Sequence, residues 1–172
     1  MAASDFILQN TDLFSLFEYR DGKLYWRVPA GGPAGSSGVR KVGDLAGGLN
    51  RQGYICLKIN NTQVKAHRVI FMMHHGFLPG IIDHIDGNKA NNRIENLRAV
   101  THLENTLNSK KPSTNRSGIK GVCWHKLKNK WMASCALGGK IYHVGYFDDI
   151  QEAAQTVHKF RENLHGSFAN HG

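Results

Sequence analysis

Three turn-forming pairs limit the architectures open to this chain. Asp21-Gly22, Asn60-Asn61 and Gly138-Gly139 each stand between two short runs in which apolar and polar residues alternate. Alternation with a period of two turns one face of a run to a core and the other to water. Asx-Gly and Gly-Gly pairs supply the left-handed backbone that tight hairpins need. The sequence therefore predicts one hairpin from Glu18 to Val28 and a second from Tyr54 through Asn60-Asn61 to Ala66. It predicts three further strands at Gly121–His125, Trp131–Leu137 and Lys140–Tyr146. Helical spacing is less frequent. Residues 5–18 read as one short helix, and Val69–His75 as a short buried helix stopped by Gly76 and Pro79. Residues 149–164 read as a longer helix, with Ile150, Ala153, Ala154, Val157, Phe160 and Leu164 on its apolar side and Asp148 or Asp149 as its cap. Residues 29–38 are rich in Gly, Pro and Ser and read as a flexible loop, and 110–118 read as a polar linker. The expected fold class is α+β. Hairpins and short helices come first, then a small three-stranded antiparallel sheet packed on one helix.

A chain of 172 residues with 41% hydrophobic content is long enough for one ordinary domain or two small ones. Its formal net charge of +9 favours a polyanionic partner, nucleic acid first. The excess is uneven: residues 1–109 carry 12 Lys/Arg against 9 Asp/Glu, and residues 110–172 carry 10 against 4. Between Lys110 and Lys130 there are seven basic residues and no acidic one. Cys56, Cys123 and Cys135 form no C-x-x-C pair, so neither a disulfide framework nor a cysteine zinc site is expected. Cys56 and Cys135 read as small core residues. No basic-then-apolar leader and no long apolar run is visible, so the expectation is a soluble protein of a reducing, intracellular setting with no membrane partner.

The densest polar cluster runs from Ile81 to Asn105. Two strands at 81–85 and 96–100 flank a polar loop. Thr101 and Glu104 form a capping-box pair, which starts a helix at about His102 and puts Asn105 in its first turn, facing back over the hairpin. The local plan is strand, loop, strand, helix. Phosphodiester hydrolysis needs a deprotonated water, a neutralised phosphate and a stabilised leaving oxygen. A neutral His performs the first task, and one hard cation on oxygen ligands performs the other two. Asp83 and Asn105 offer such oxygens, which suit Mg²⁺ or Mn²⁺. His84 is placed to point at the water, and Asn96 to hold either the imidazole or its loop. Other polar residues have plainer readings. Asp86-Gly87 reads as a turn, and Asn88, Asn91 and Asn92 read as satisfying loop backbone. His67 reads as structural, and His74 and His75 as a helix end.

The segment Asp83-His84-Ile85-Asp86-Gly87, then Asn91-Asn92-Arg93, Asn96-Leu97 and Glu104-Asn105, resembles the HNH, or ββα-metal, nuclease motif of phage and intron homing endonucleases. The lead-in Ala66-His67-Arg68-Val69 resembles that family too, and the likeness covers roughly residues 14–109. It implies a metal-dependent DNA endonuclease, with His84 as general base, Asp83 and Asn105 as metal ligands and Asn96 as the middle Asn of the motif. Its last position is Asn where many members have His, which favours a single hard divalent ion over zinc and leaves the roles of His102, His67 and Asp86 open. The implied setting is the cytoplasm of a bacterial or phage-infected host cell.

The later motifs Ser117-Gly118-x-Lys120-Gly121-Val122-x-Trp124, Lys130-Trp131-x-Ala133, Val144-Gly145-Tyr146-Phe147 and Glu152-Ala153-Ala154 resemble the plant ethylene-response-factor DNA-binding domain. In that family a three-stranded sheet enters the major groove. The resemblance implies a DNA face of Lys120, Cys123, His125, Ser134, Ala136 and His143. The family's arginines and glutamate are missing at most of these positions, so base readout is not carried over. Phosphate contact is expected instead from Arg116, Lys120, His125, Lys126, Lys128 and Lys130, with Arg93, Arg98 and His143 also placed on the DNA. The expected organisation is an endonuclease domain over 1–109 (ββα motif about 81–109), a basic linker over 110–116 and a DNA-binding domain over 117–172. The expected partner is double-stranded DNA. No dimer interface is evident, which points to a monomer that nicks, whereas a homodimer would cut both strands. The alternative is a non-enzymatic, sequence-specific DNA-binding regulator with a degenerate HNH fold.

Overall fold

The structure is a computed structural model that describes residues 2–29, 40–109 and 111–172. The loop expected at 29–38 falls almost wholly on residues outside the described ones, as does Lys110. The chain divides into two compact units, 1–99 and 100–172. Mixed α and β elements with small antiparallel sheets make up both, as the turn pairs predict. No helix among the described residues is long and apolar enough to cross a membrane.

The first unit opens with helices α1 (Ala3–Gln9) and α2 (Leu13–Leu16) in place of the single helix expected over 5–18. The break has a local cause. Asn10 bonds back to the Phe6 carbonyl, and Asp12 caps a new turn by accepting from the Ser15 N–H at 3.3 Å. Strands β1 (Phe17–Arg20) and β2 (Lys23–Trp26) then form the first hairpin, with Phe17 opposite Trp26. Its turn residues Asp21 and Gly22 have φ of 49° and 82°. A Cβ on Gly22 would lie 2.8 Å from the Arg93 nitrogen, so only glycine lets this tip seat against the loop that carries the site.

Strands β3 (Gly48–Leu49), β4 (Ile55–Ile59) and β5 (Thr62–Lys65) form a three-stranded sheet in that order. The last two are the expected hairpin, turning at Asn60 and Asn61, while β3 is an addition. Helix α3 (Ala66–His75) follows β5 directly, three residues earlier than its apolar spacing suggests, and stops at left-handed Gly76. It buries Val69, Ile70 and Phe71 against Leu8, Phe17, Leu24, Leu57 and Val64. That core fixes the floor of the site. Strands β6 (Ile81–His84) and β7 (Leu97–Val100) make the two-stranded sheet that frames the polar loop.

The second unit begins with helix α4 (His102–Leu107). Both halves of its capping box are present, with Glu104 N–H donating to Thr101 Oγ1 at 3.3 Å and Thr101 N–H to Glu104 Oε2 at 2.7 Å. Residues 111–118, expected as a linker, lie inside this unit. Asn115 donates to the Ile119 carbonyl and Ser117 to the Val122 carbonyl. Strands β8 (Val122–His125), β9 (Lys130–Leu137) and β10 (Lys140–Phe147) form one antiparallel sheet with β9 central. One face packs on helix α5 (Ile150–His165), capped by Asp149, through Val122, Ala133, Ala153 and Val157. The buried stripe of α5 ends differently from its sequence pattern. Phe160 and Leu164 are half-buried, and Arg161 and His165 take the buried positions. The Arg161 guanidinium donates to the Lys120 carbonyl at 2.6 Å. Cys135 is buried as expected, whereas Cys56 is only half-buried and accepts from Asn50 at 3.3 Å.

Candidate active site and nucleic-acid surface

Strand β6 ends in two adjacent buried polar residues, Asp83 at 8% and His84 at 5% exposure. Polar groups this deep need partners. For Asp83 the partner is Arg98, on the facing strand β7, whose Nε and Nη2 donate to Oδ2 at 3.0 and 2.9 Å. Arg98, expected on DNA, is thereby committed to the site's own carboxylate. For His84 the partner is Asn92, whose Oδ1 lies 3.0 Å from Nε2. An amide oxygen only accepts, so this bond puts the ring proton on Nε2 and leaves the lone pair of the neutral imidazole on Nδ1. Asn92 is 2% exposed.

Asn92 is the residue that sequence reasoning undervalued. Among Asn88, Asn91 and Asn92, composition gives no reason to single it out, and only its burial does. Asn96 has the second of the two roles open to it, because it braces the loop. Its Oδ1 accepts from the Asp86 N–H at 3.1 Å, and its Nδ2 donates to Asp86 Oδ1 at 3.0 Å and to the Asn91 carbonyl at 2.8 Å. Asp86 also accepts from Asn91 Nδ2 at 2.7 Å and from the Asn88 N–H at 2.8 Å. Burial opposes ionisation of Asp86, but the bonds from Asn91, Asn88 and Asn96 outweigh it and hold the carboxyl below its ordinary range. Asp86 is thus more than a turn residue: it is the hub of the loop.

His67, from the first turn of α3, stacks edge-on against His84 with ring centroids 5.0 Å apart. Burial, then the charges of His84, Lys65 and Arg68, push its pKa down to about 3, so its ring is neutral at ordinary pH. Tyr54 covers both rings, 5.4 Å from His67 and 6.2 Å from His84. Arg93 makes an ion pair with Asp21 at 2.7 Å in which both side chains are largely exposed, an arrangement of little strength. Asn105 belongs to α4 in the second unit, where its N–H closes the first turn on the Thr101 carbonyl at 3.1 Å.

Of the two residues that the motif resemblance gives as metal ligands, Asp83 offers a hard, anionic oxygen and Asn105 a neutral amide oxygen. Such a set suits a hard divalent ion that keeps water and phosphate oxygens in its shell. Among the described residues no group of three or more His, Cys, Asp or Glu side chains gathers as a metal cage.

In the second unit the face of the sheet turned away from α5 carries His125, Ser134, Ala136 and His143, with Tyr146 among them. The ring of Tyr146 lies 5.2 Å from His125 and 4.4 Å from His143, and Lys128 Nζ sits 3.7 Å over it. Tyr146 was not foreseen as part of this face. Arg116 and Lys126 are exposed, and Lys130 is paired with Asp148 at 3.0 Å in an exposed ion pair. Lys120 is the correction here. Its ammonium donates to the carbonyls of Ser109 and Asn170 inside the unit. Burial, with help from the charge of Arg161, lowers its pKa to about 8. A lysine held in this way is engaged within its own unit.

A ββ hairpin ending in Asp-His, bridged by an Asn-braced loop and followed by a capped helix, is the framework of an HNH nuclease. Residues 64–107 match the family model described as HNH endonuclease. Residues 64–107 thus carry an HNH endonuclease domain, and HNH endonucleases act on DNA and generally use a divalent metal ion. It is 40% identical over 88 residues to Protein 3.8 of Escherichia phage T7, covering 51% of this chain and 72% of that one. It is 32% identical over 124 residues to Uncharacterized HNH endonuclease L560 of Acanthamoeba polyphaga mimivirus, covering 70% of this chain and 63% of that one. No solved structure matches.

Proposed function

We propose that this protein is a metal-dependent, homing-type DNA endonuclease in which His84 is the general base. The observation that carries the reading is the buried bond from His84 Nε2 to Asn92 Oδ1 at 3.0 Å. It leaves Nδ1 as the basic atom and stays intact when the ring becomes doubly protonated. A water whose proton passes to Nδ1 attacks phosphorus; the new P–O bond forms, the bond to the leaving oxygen breaks, and that oxygen takes up a proton. Asp83, steadied by Arg98, would hold the divalent ion together with Asn105. The assignment of Asn105 rests on the Glu104-Asn105 ending of the motif. When bound, the ion supplies charge neutralisation at the phosphate and the leaving oxygen, and Mg²⁺ or Mn²⁺ suits the ligands. Asn96 acts on the chemistry indirectly, by holding the loop that carries Asn92.

In this reading the nuclease module runs through residue 109, in keeping with a family match that reaches 107. Residues 117–172 form an ethylene-response-factor-like domain that lengthens the footprint on double-stranded DNA. Arg116, His125, Lys126, Lys128, Lys130 and His143 contact phosphates there, and Arg93 does so beside the active site. The protein works as a monomer in the cytoplasm of a bacterial or phage-infected host cell and nicks one strand at a time. The test is nicking of supercoiled plasmid. Wild type should nick in Mg²⁺ or Mn²⁺ and stop in EDTA, and His84→Ala should lose about 10²–10⁴ in rate. A wild type that leaves a broad panel of DNA intact contradicts the reading, and full activity in His84→Ala contradicts the base assignment.

A further inference from the structure

A second cluster in the first unit has no role in the mechanism above. Lys65 Nζ lies 4.2 Å and Lys89 Nζ 4.9 Å from the centre of the Tyr54 ring. Two ammonium groups gathered on one aromatic ring repel each other, and among the described residues neither has a carboxylate partner. Lys65 also stands at the N-cap of α3, where no side chain caps the helix. A cation is the wrong charge for that position, because the helix end is itself positive. Beside them His67 is 5% exposed and has only ring contacts, with no hydrogen bond among the described residues. A neutral imidazole this deep ordinarily finds a partner for its N–H. Two cations without a carboxylate partner, of which Lys89 donates to the Gln52 carbonyl at 3.3 Å, thus meet an uncapped helix start and an imidazole without a hydrogen bond round Tyr54. What all of them lack is an anion with several acceptor oxygens. Tyr54 and His67 both adjoin His84, so an anion held here would lie next to the reacting position.

We propose that Lys65, Lys89 and His67, gathered round Tyr54, form a subsite for a DNA backbone phosphate adjoining the bond that is cut. This rests on the nuclease reading and adds to it a grip on the substrate that is separate from the base and the ion. The two lysines supply charge as mobile point cations, and His67 supplies a fixed hydrogen-bond donor. Tyr54 holds the ammonium groups over its face by cation–π attraction and keeps the His67 and His84 rings covered.

The test measures binding of the full chain to labelled duplex DNA in EDTA, by fluorescence anisotropy over a range of salt concentrations. Each lost phosphate contact lowers the slope of log K against log salt by about 0.9, so Lys65→Met with Lys89→Met should lower it by about 1.8. Lys65→Arg with Lys89→Arg should restore it. In plasmid nicking the Met variants should raise KM more than they lower kcat, and His67→Phe should raise KM while His67→Gln, which keeps a donor, recovers. A slope and affinity equal to wild type in the double Met variant overturn the subsite while leaving the nuclease reading standing, provided the wild type nicks. Weaker binding with an unchanged slope overturns it too, because the lost contact would then not be to phosphate. A wild type that neither binds nor nicks duplex DNA overturns both.

Discussion

On β6, β7 and the loop between them the polar side chains are tied to one another: Asp83 to Arg98, His84 to Asn92, and Asp86 to Asn91 and Asn96. On the open face of the β8–β9–β10 sheet, His125, His143 and Lys128 rest on the ring of Tyr146 instead. The first arrangement fixes distance, tautomer and direction, which catalysis rewards steeply, because a small misplacement costs much rate. The second leaves cations and imidazoles on one aromatic ring without such a network, an arrangement that suits the phosphate contacts proposed for this face.

The comparison breaks first at Asn92. Asn92→Leu leaves a buried Nε2–H without an acceptor, a cost of about 1–3 kcal/mol or roughly 10–100-fold in single-turnover rate if the bond orients the base. Asn92→Asp keeps an acceptor and adds a negative charge, so the limb of the pH–rate profile that reports His84 should move to higher pH. A rate unchanged in both variants would mean that the bond only fills space.

His67 gives the next largest effect, on stability. Its folded pKa of about 3 lies below the ordinary 6.5. Between these values the unfolded chain binds a proton that the folded one refuses. Stability is therefore complete above the ordinary value and is lost as pH falls toward the folded one. From about pH 7 to about pH 5 the loss from this group is roughly 2 kcal/mol. Urea denaturation at both pH values should find it in wild type and find it removed in His67→Gln.

Smaller still is the contrast between two lysines of the second unit. Lys128→Met should lower the salt slope of DNA binding by about 0.9, one phosphate contact. Lys120→Met should leave the slope alone and lower the melting temperature, because its ammonium serves the Ser109 and Asn170 carbonyls. Equal slopes for the two variants would erase the distinction drawn between them.

Much of this was legible in the sequence where the signal is local. Asp21-Gly22 and Gly138-Gly139 announce their hairpins because few other pairs accept that backbone. Thr101 and Glu104 announce α4 because both partners of the cap lie within one turn. Asp83 and His84 stand out in the sequence because their spacing to the later Asn residues follows the motif. What was hidden depends on tertiary contact. Asn92 differs from Asn91 only in being buried. Arg161 reads as a solvated helix residue until the Lys120 carbonyl is brought to it. Lys120 reads as a surface cation on a basic stretch until residues 109 and 170 fold back onto it. The split of the first helix at Asn10–Asp12 turned on caps that compete with apolar spacing, and β3 is too short to carry a pattern.

The division of labour between the two units is tested most directly by measuring affinity and single-turnover rate side by side on full-length variants. His84→Ala should bind duplex DNA with wild-type affinity and cut about 10²–10⁴ more slowly. A variant carrying His125→Ala, Lys128→Ala and His143→Ala should cut at the wild-type rate under saturating enzyme but bind more weakly, with a shallower salt dependence. Wild-type cutting by His84→Ala, or a sheet variant that loses rate while keeping its affinity, would contradict the account.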